Sequence, residues 1–482
     1  MRKTIIEKVF EYSQSQPDKI AVMTATDRLT YKQLFDYAYA YSMYLKSFGV
    51  KKGDKIVLRA NQTAEFPIIY LSIHLCNAVV VSLERSTPDQ KMKEISDELG
   101  AEFIISDEIG NIPRKNALDD IVVKIDADDN NSPALDDLAD ILFTTGTTGK
   151  SKGVALTHKA LVATAENLII GCEYKEDTVI LVPGPLNHAN AVRKLFTTFN
   201  NGSTIYILNG MMDVKGIFKA LSDGRSYGSL ACCFPPAAIR MIFSLTKNKI
   251  AEFKYDIDFI ESASAPLPET DKKTLMELLP FTRLYNNYGS SESASVCMFD
   301  YSKHIELKNC IGKPTINAKI IIVDDEKREI ASSLDKLGFI ASKGDMNMVG
   351  YLNDPELTAE VLRDEIVYTN DLGYIDNEGF VYIIGRKGDV LNIGGFKVAP
   401  TEVESACLGF NGIKDCVCIG VVNEISGKSL KLLYVSDDEI DPKQFNAFLS
   451  GKLENYKIPH LFEKVNEVKR TYNGKIDRKA YQ

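Results

Sequence analysis

Two hydrophobic rhythms alternate along this chain. Apolar side chains recur at helical spacing over 66–75, 88–99 and 157–170, and β-branched runs fill 79–83, 102–106 and 178–182. Strands that alternate with helices predict parallel sheets packed between helices. The longest apolar stretch, 66–83, contains Pro67, His74 and Asn77, so a helix running into a strand fits it better than a membrane span. The pattern changes character near 385. Strands are expected over 413–422 and 430–435, and helices over 400–408 and 442–453. That is enough for a small α+β unit, and Gly385-Arg386-Lys387-Gly388 marks the boundary between domains 1–385 and 386–482.

Length and charge narrow the picture. A chain of 482 residues has room for several cores. Its net charge of −9 argues against a nucleic-acid partner, which would demand a basic footprint. The segment 452–482 is the exception, with eight basic and four acidic residues, and suits an anionic ligand. Nine cysteines are scattered without a CxxC pair, so zinc and a disulfide framework are not expected, and a cytoplasmic location is. The N-terminal stretch lacks the apolar core of a signal peptide, and no membrane association is expected.

The segment LFTTGTTGKSKGVALTH (142–158) is the most informative. Between two apolar runs it carries Thr144, Thr145, Gly146, Thr147, Thr148, Gly149, Lys150 and Lys152. Glycines let backbone N–H groups approach phosphate oxygens, threonines add donors, and lysines neutralise charge. The expected form is strand, phosphate-gripping loop, strand. A Walker A loop is a poor match. Gly149-Lys150-Ser151 fits its end, but Thr144 stands where its first glycine belongs.

Four further segments bear on nucleotide chemistry. In LYNNYGSSE (284–292), Tyr288 can cover a purine, Asn287 can read its amino edge, and Glu292 can hold Mg²⁺; Gly289 and Ser291 complete the turn. In YTNDLG (368–373), Asp371 at an expected strand end can accept both ribose hydroxyls. Segment 385–404 brings together Arg386, several glycines including Gly395, and a helix start at Pro400. Segment TYNGKIDRK (471–479) sets Lys475 in a glycine-containing turn.

The order and spacing of these pieces, with LTYKQL (29–34), GVKKGDKIVL (49–58) and SASAPLP (262–268), resemble the adenylate-forming superfamily over essentially the whole chain. That superfamily includes acyl- and aryl-CoA synthetases, luciferases and the adenylation domains of peptide synthetases. The resemblance implies an α/β fold. A large N-terminal domain of stacked αβ layers with a β-barrel-like part would precede a small mobile C-terminal α+β domain. It implies an enzyme that couples a small carboxylic acid to ATP, releases pyrophosphate, and passes the acyl group to CoA. A carrier-protein thiol is the alternative acceptor. By similarity, Thr144–Lys152 would hold the β,γ-phosphates, Tyr288 would lie against adenine, and Glu292 with Thr144 would ligate Mg²⁺. Asp371 would grip the ribose, supported by Arg386. Lys475 would bridge the substrate carboxylate and the α-phosphate, and Gly395 would belong to the loop that guides the thiol. His188 of PGPLNHANAVRKLF (183–196) would line the acid pocket. Arg193 is expected on a solvent-facing helix surface, and the lack of Asp in this stretch disfavours an amino acid substrate.

Three positions depart from the superfamily's usual pattern. They are Gly388 at the domain swivel, Asn370 in Thr369-Asn370-Asp371, and Phe339-Ile340 after Gly338. Glycine tolerates wide backbone excursions, so swivelling is expected to survive.

Overall fold

Two sheets and the helices between them build the larger part of the protein. The computed structural model describes residues 2–106, 109–114, 132–145, 151–393, 396–423, 427–470 and 476–481. The first sheet has a parallel run, in the order Arg283–Ser290, Ile257–Ser262, Leu230–Cys233, Val179–Val182 and Thr204–Ile207. Beyond Arg283–Ser290 it continues antiparallel through Ala294–Asp300, Cys310–Pro314, Val381–Arg386, Ile366–Ile375, Gly338–Lys343 and Lys319–Val323. The second sheet has six strands and contains Lys55–Ala60, Val79–Glu84, Leu138–Thr145 and Ser151–Thr157.

The helical layer lies between these sheets. One buried cluster joins Ile56, Val80 and Leu142 of the second sheet to Ile180, Ile205 and Cys233 of the first, with helix residues such as Leu34, Tyr70, Leu161 and Phe196 among them. Helix Glu65–Leu75 buries ten of its eleven residues, as expected of a helix that is apolar all round. The LTYKQL segment starts helix Tyr31–Ser47 with a capping box. Thr30 Oγ1 accepts from the Gln33 N–H, and the Gln33 side-chain oxygen accepts from the Thr30 N–H.

Element boundaries differ modestly from the sequence pattern. The strand expected over 102–106 contracts to Phe103–Ile104, because Ile105 makes only an isolated bridge to Ile112. Elsewhere the ends move by a residue or more, and Val79–Glu84, Asp89–Leu99 and His158–Gly171 form as read. No helix among the described residues is long and apolar enough to cross a membrane.

The C-terminal part has its own small sheet, Asp415–Asn423, Gly427–Val435 and Leu461–Lys464. Val398, Val403, Cys407, Leu432, Phe445 and Leu449 form its core. Apart from Val398 of the short strand Phe396–Val398, these residues come from the sheet and from helices Pro400–Cys407 and Pro442–Ser450, so this small α+β unit buries an apolar interior of its own.

Candidate active site

The phosphate-loop motif spans the end of an antiparallel pair. Thr144 lies opposite Lys152, and Thr145 opposite Ser151. The side chains of Thr144 and Thr145, together with Gly146, Thr147, Thr148, Gly149, Lys150, Gly395 and Lys475, lie outside the described residues. Lys152 is described. Its Nζ sits 5.5 Å from the centre of the Tyr351 ring. Tyr351 belongs to the two-residue strand Gly350–Tyr351, which pairs with the loop's return strand at Val154. The Tyr351 hydroxyl donates to Glu292 Oε1 at 2.7 Å. Lysine, tyrosine and carboxylate from three separate elements are thus brought together.

The turn that carries Glu292 is tightly specified. Ser290 Oγ accepts from the N–H groups of Glu292 and Ser293. At Gly289 an added Cβ would lie 1.6 Å from the Ala294 carbonyl oxygen, so only glycine fits. Ser291 lies within this turn and is half-buried. From the neighbouring helix Ala189–Asn201, the Arg193 guanidinium donates to the Ser290 carbonyl. Arg193 is therefore not a solvent-facing residue; only 6% of it is exposed. Burial lowers its pKa to about 10, with Glu261 and Glu292 acting in the opposite direction, so it stays charged at neutral pH.

A second cluster forms at Asp371. The Tyr288 hydroxyl donates to Asp371 Oδ2 at 2.6 Å, and Arg386 Nε donates to Oδ1 at 2.9 Å. Asp371 is not at a strand end. It sits inside Ile366–Ile375, directly opposite Arg386 at the end of Val381–Arg386. Thr369 sits at a register shift in this strand and anchors it there. Its Oγ1 donates to the Ile340 carbonyl and accepts the Asp371 N–H. Asn370 faces solvent, which explains why the departure there is tolerated. The Asp371 charge raises the Arg386 pKa, whereas burial followed by the Asp371 charge raises that of Tyr288 and keeps its phenol neutral.

The other two departures also find surroundings. Phe339 packs on Ile321, Val323 and Ala341, with Lys387 Nζ 4.9 Å from its ring centre. At Gly388 an added Cβ would meet nothing within 4 Å, so packing does not demand the glycine.

Asn287 departs from expectation. Side chains alternate along a strand, so Asn286 shares a face with Tyr288 while Asn287 points the other way. Asn287 is 7% exposed, and its Nδ2 donates to Glu261 Oε1 at 2.8 Å and Ser295 Oγ at 3.0 Å. Asn286 is half-buried and shares that face with Tyr288.

A cavity of about 500 Å³ opens at the carboxyl edge of the parallel strands. His188, Asn190, Cys233, Pro235 and Ser264 are among its lining. The carboxyl edge is where open α/β sheets bind ligands, and the volume suits a small molecule. His188 precedes helix Ala189–Asn201 and faces this space. Tyr351, Arg193 in its buried state, and Cys233 escaped the sequence reading. A misplaced charge on an otherwise apolar helix face was the one available signal for Arg193.

The donor set is compatible with Mg²⁺. Among the described residues no cluster of three or more His, Cys, Asp or Glu side chains could cage a metal. A single carboxylate, Glu292, faces the phosphate-loop strand through Tyr351 and Lys152. Magnesium is commonly held by one or two carboxylates together with substrate phosphates and water, so the residues present fit it.

Comparisons with known proteins agree with this geometry. The profile of the AMP-binding enzyme family matches residues 9–352, and that of the AMP-binding enzyme C-terminal domain matches residues 402–475. The 2-succinylbenzoate–CoA ligase of Bacillus licheniformis is 26% identical, covering 96% of each chain. Bacitracin synthase 3 of Bacillus licheniformis is 25% identical over 98% of this chain, which spans only 8% of that protein's length. Among solved structures, ATP-bound MatB from Rhodopseudomonas palustris superimposes with a TM-score of 0.87 at 23% identity, covering 100% of this chain and 98% of that one. O-succinylbenzoate coenzyme A synthetase (MenE) from Bacillus subtilis, in complex with ATP and magnesium ion, gives a TM-score of 0.81 at 22% identity, covering 98% of each chain. With more than half its length matched by the family profile and the smaller C-terminal profile following in order, this chain belongs to the AMP-binding enzyme family, the adenylate-forming superfamily.

Proposed function

We infer that this protein is an ATP-dependent acid–thiol ligase that makes an acyl-AMP and then an acyl-CoA. One observation carries the reading. The segment 288–292 joins Asp371 and Arg386 at its start to Tyr351 and Lys152 at its end, and Arg193 ties it to the helix whose first turn lines the His188 cavity. This supports ribose and phosphate subsites joined by one short turn, with the acid pocket at the start of the adjoining helix.

The chemistry follows from charge. A carboxylate oxygen attacks the α-phosphorus of ATP, the bond to pyrophosphate breaks, and the two anions must be held together against their repulsion. Lys152 and the preceding threonine-rich loop would take the β,γ-phosphates. Tyr288 and Asn286 would take the adenine, and Asp371 the ribose hydroxyls, with Arg386 holding that carboxylate in place. His188 would orient the substrate carboxylate. Lys475, on the 386–482 domain, would neutralise the reacting anions. Mg²⁺, when bound by Glu292 and Thr144, would supply charge neutralisation at the phosphates. In the second step the thiol attacks the acyl carbon, loses its proton, and AMP leaves. A small domain swivelling near Gly388 would withdraw Lys475 and present the loop at Gly395 to the thiol. A cytoplasmic location suits this reading, because all nine cysteines are buried and unpaired.

Two measurements test it. Incubation with ATP, CoA and a panel of carboxylic acids should yield AMP and an acyl-CoA with a restricted set of acids. A phosphopantetheinylated carrier that works where CoA does not would replace CoA as the acceptor. Tyr351→Phe removes the hydroxyl that orients Glu292. The magnesium concentration needed for half-maximal pyrophosphate release should rise by about 10–100-fold, the usual effect of losing a group that orients a metal ligand. An unchanged magnesium requirement would remove Glu292 from the metal site.

A further inference from the structure

The wall of the cavity hides a charge pair that catalysis does not use. Lys194 Nζ lies 2.6 and 2.8 Å from the two oxygens of Glu261, and both side chains are 0% exposed. Burial works against the Lys194 ammonium, but Glu261 beside it more than offsets this and its pKa is raised. A buried ion pair stabilises a fold no better than apolar residues of the same volume, so its presence calls for another reason.

Topology puts the pair directly behind the cavity. Cys233 lines the cavity and pairs in register with Glu261 on the adjacent parallel strand. Asn190 also lines it, one helical turn before Lys194 on the same helix face. Asn190 Nδ2 donates to Cys233 Sγ at 3.3 Å, which leaves its buried Oδ1 without a partner. Asn287 repeats the arrangement. Its amide hydrogens go to Glu261 and Ser295, and its Oδ1 has no partner either. The ion pair thus orients one amide directly and stands behind the other, and both leave an acceptor unused. Buried acceptors are almost always paired, and of the two amides Asn190 is the one that lines the cavity, so its unused Oδ1 implies a donor that arrives with a ligand.

Resting on the reading above, we propose that Asn190, backed by Lys194, Glu261 and the Asn287 amide bonded to Glu261, selects a short carboxylic acid bearing a hydroxyl group. An alkyl or aryl tail would leave the Asn190 acceptor unpaired. The sequence contains no Asp in 183–196 for a substrate amine. Tertiary structure does deliver a carboxylate, Glu261, from another strand, but Lys194 already neutralises it. A neutral donor therefore fits better than an ammonium group.

The test pairs acids that differ by one group, using ATP-dependent pyrophosphate release. Lactate is set against propionate, 3-hydroxybutyrate against butyrate, and alanine against propionate. At least one hydroxy acid should exceed its deoxy partner in kcat/KM by about a hundredfold or more, because sites built to hydrogen-bond a hydroxyl reject analogues lacking it strongly. The double variant Lys194→Met/Glu261→Met replaces the pair with apolar side chains of similar length. It should bring each pair of acids within about tenfold, with retained ATP-induced thermal stabilisation as the check on folding. Equal use of the paired acids by the parent protein, preference for the amino acid, or a hydroxyl preference that survives the double substitution would overturn the proposal. Failure of the ligase reading looks different: ATP with Mg²⁺ would not raise the Tm and no acid would release pyrophosphate, and both proposals would then fall together.

Discussion

Lys475→Ala should abolish acid-dependent ATP–pyrophosphate exchange while leaving the conversion of supplied acyl-AMP to thioester largely intact. The adenylation step brings a carboxylate against a triphosphate. Removing one preorganised charge or donor from such a transition state costs about a hundred- to a thousandfold in rate. The thioester step starts from an acyl-AMP whose anions are already joined, so it loses little when that ammonium is gone. The split between the two half-reactions is the diagnostic result. Equal loss of both would mean that Lys475 serves the fold or both steps alike, and domain alternation would lose its main support.

Asp371→Ala should raise the Kd for ATP by about a hundredfold. A hydrogen bond to a charged group is worth about 1.5–3 kcal/mol, and each 1.4 kcal/mol is about tenfold in affinity. Tyr288 and Arg386 each donate to a different oxygen of this carboxylate, at 2.6 and 2.9 Å. Their loss would disturb the site as well, so Asp371→Asn provides a second measurement that keeps the side chain's shape. Both variants should bind ATP weakly, with Asp371→Ala the weaker. ATP affinity unchanged in both, measured by calorimetry on protein with the parent Tm, would rule out the ribose role.

Much of the architecture was legible because it rests on local periodicity. The strands flanking the phosphate loop were readable as apolar runs around a glycine- and threonine-rich stretch, and they pair as Leu138–Thr145 with Ser151–Thr157. Helix Glu65–Leu75 and strand Val79–Glu84 were readable from continuous apolar positions. Tyr288 and Glu292 share one motif, so their proximity is equally legible. Two adjacent asparagines look equivalent in sequence, yet a strand sends Asn286 and Asn287 to opposite faces, and Asn287 bonds Glu261 and Ser295. Asp371, expected at a strand end, lies inside a strand because pairing with Val381–Arg386 on one side and Gly338–Lys343 on the other extends it both ways, which local sequence does not show.

The sequence alone determined the chemistry's inventory. It identified the phosphate-gripping motif, the aromatic, the carboxylates and the terminal lysine, and the family to which their order belongs. These are properties of neighbouring residues, and short-range sterics and hydrogen bonding act on neighbours. Tertiary structure alone decided which distant groups meet. Tyr351 reaches Glu292 across 59 residues, and Lys194 reaches Glu261 across 67. In sequence, Lys194 follows Arg193 and Glu261 stands between Ile260 and Ser262, and nothing local links the two. Packing a helix on a parallel sheet brings them together in a space that excludes water, where a buried charge needs a partner.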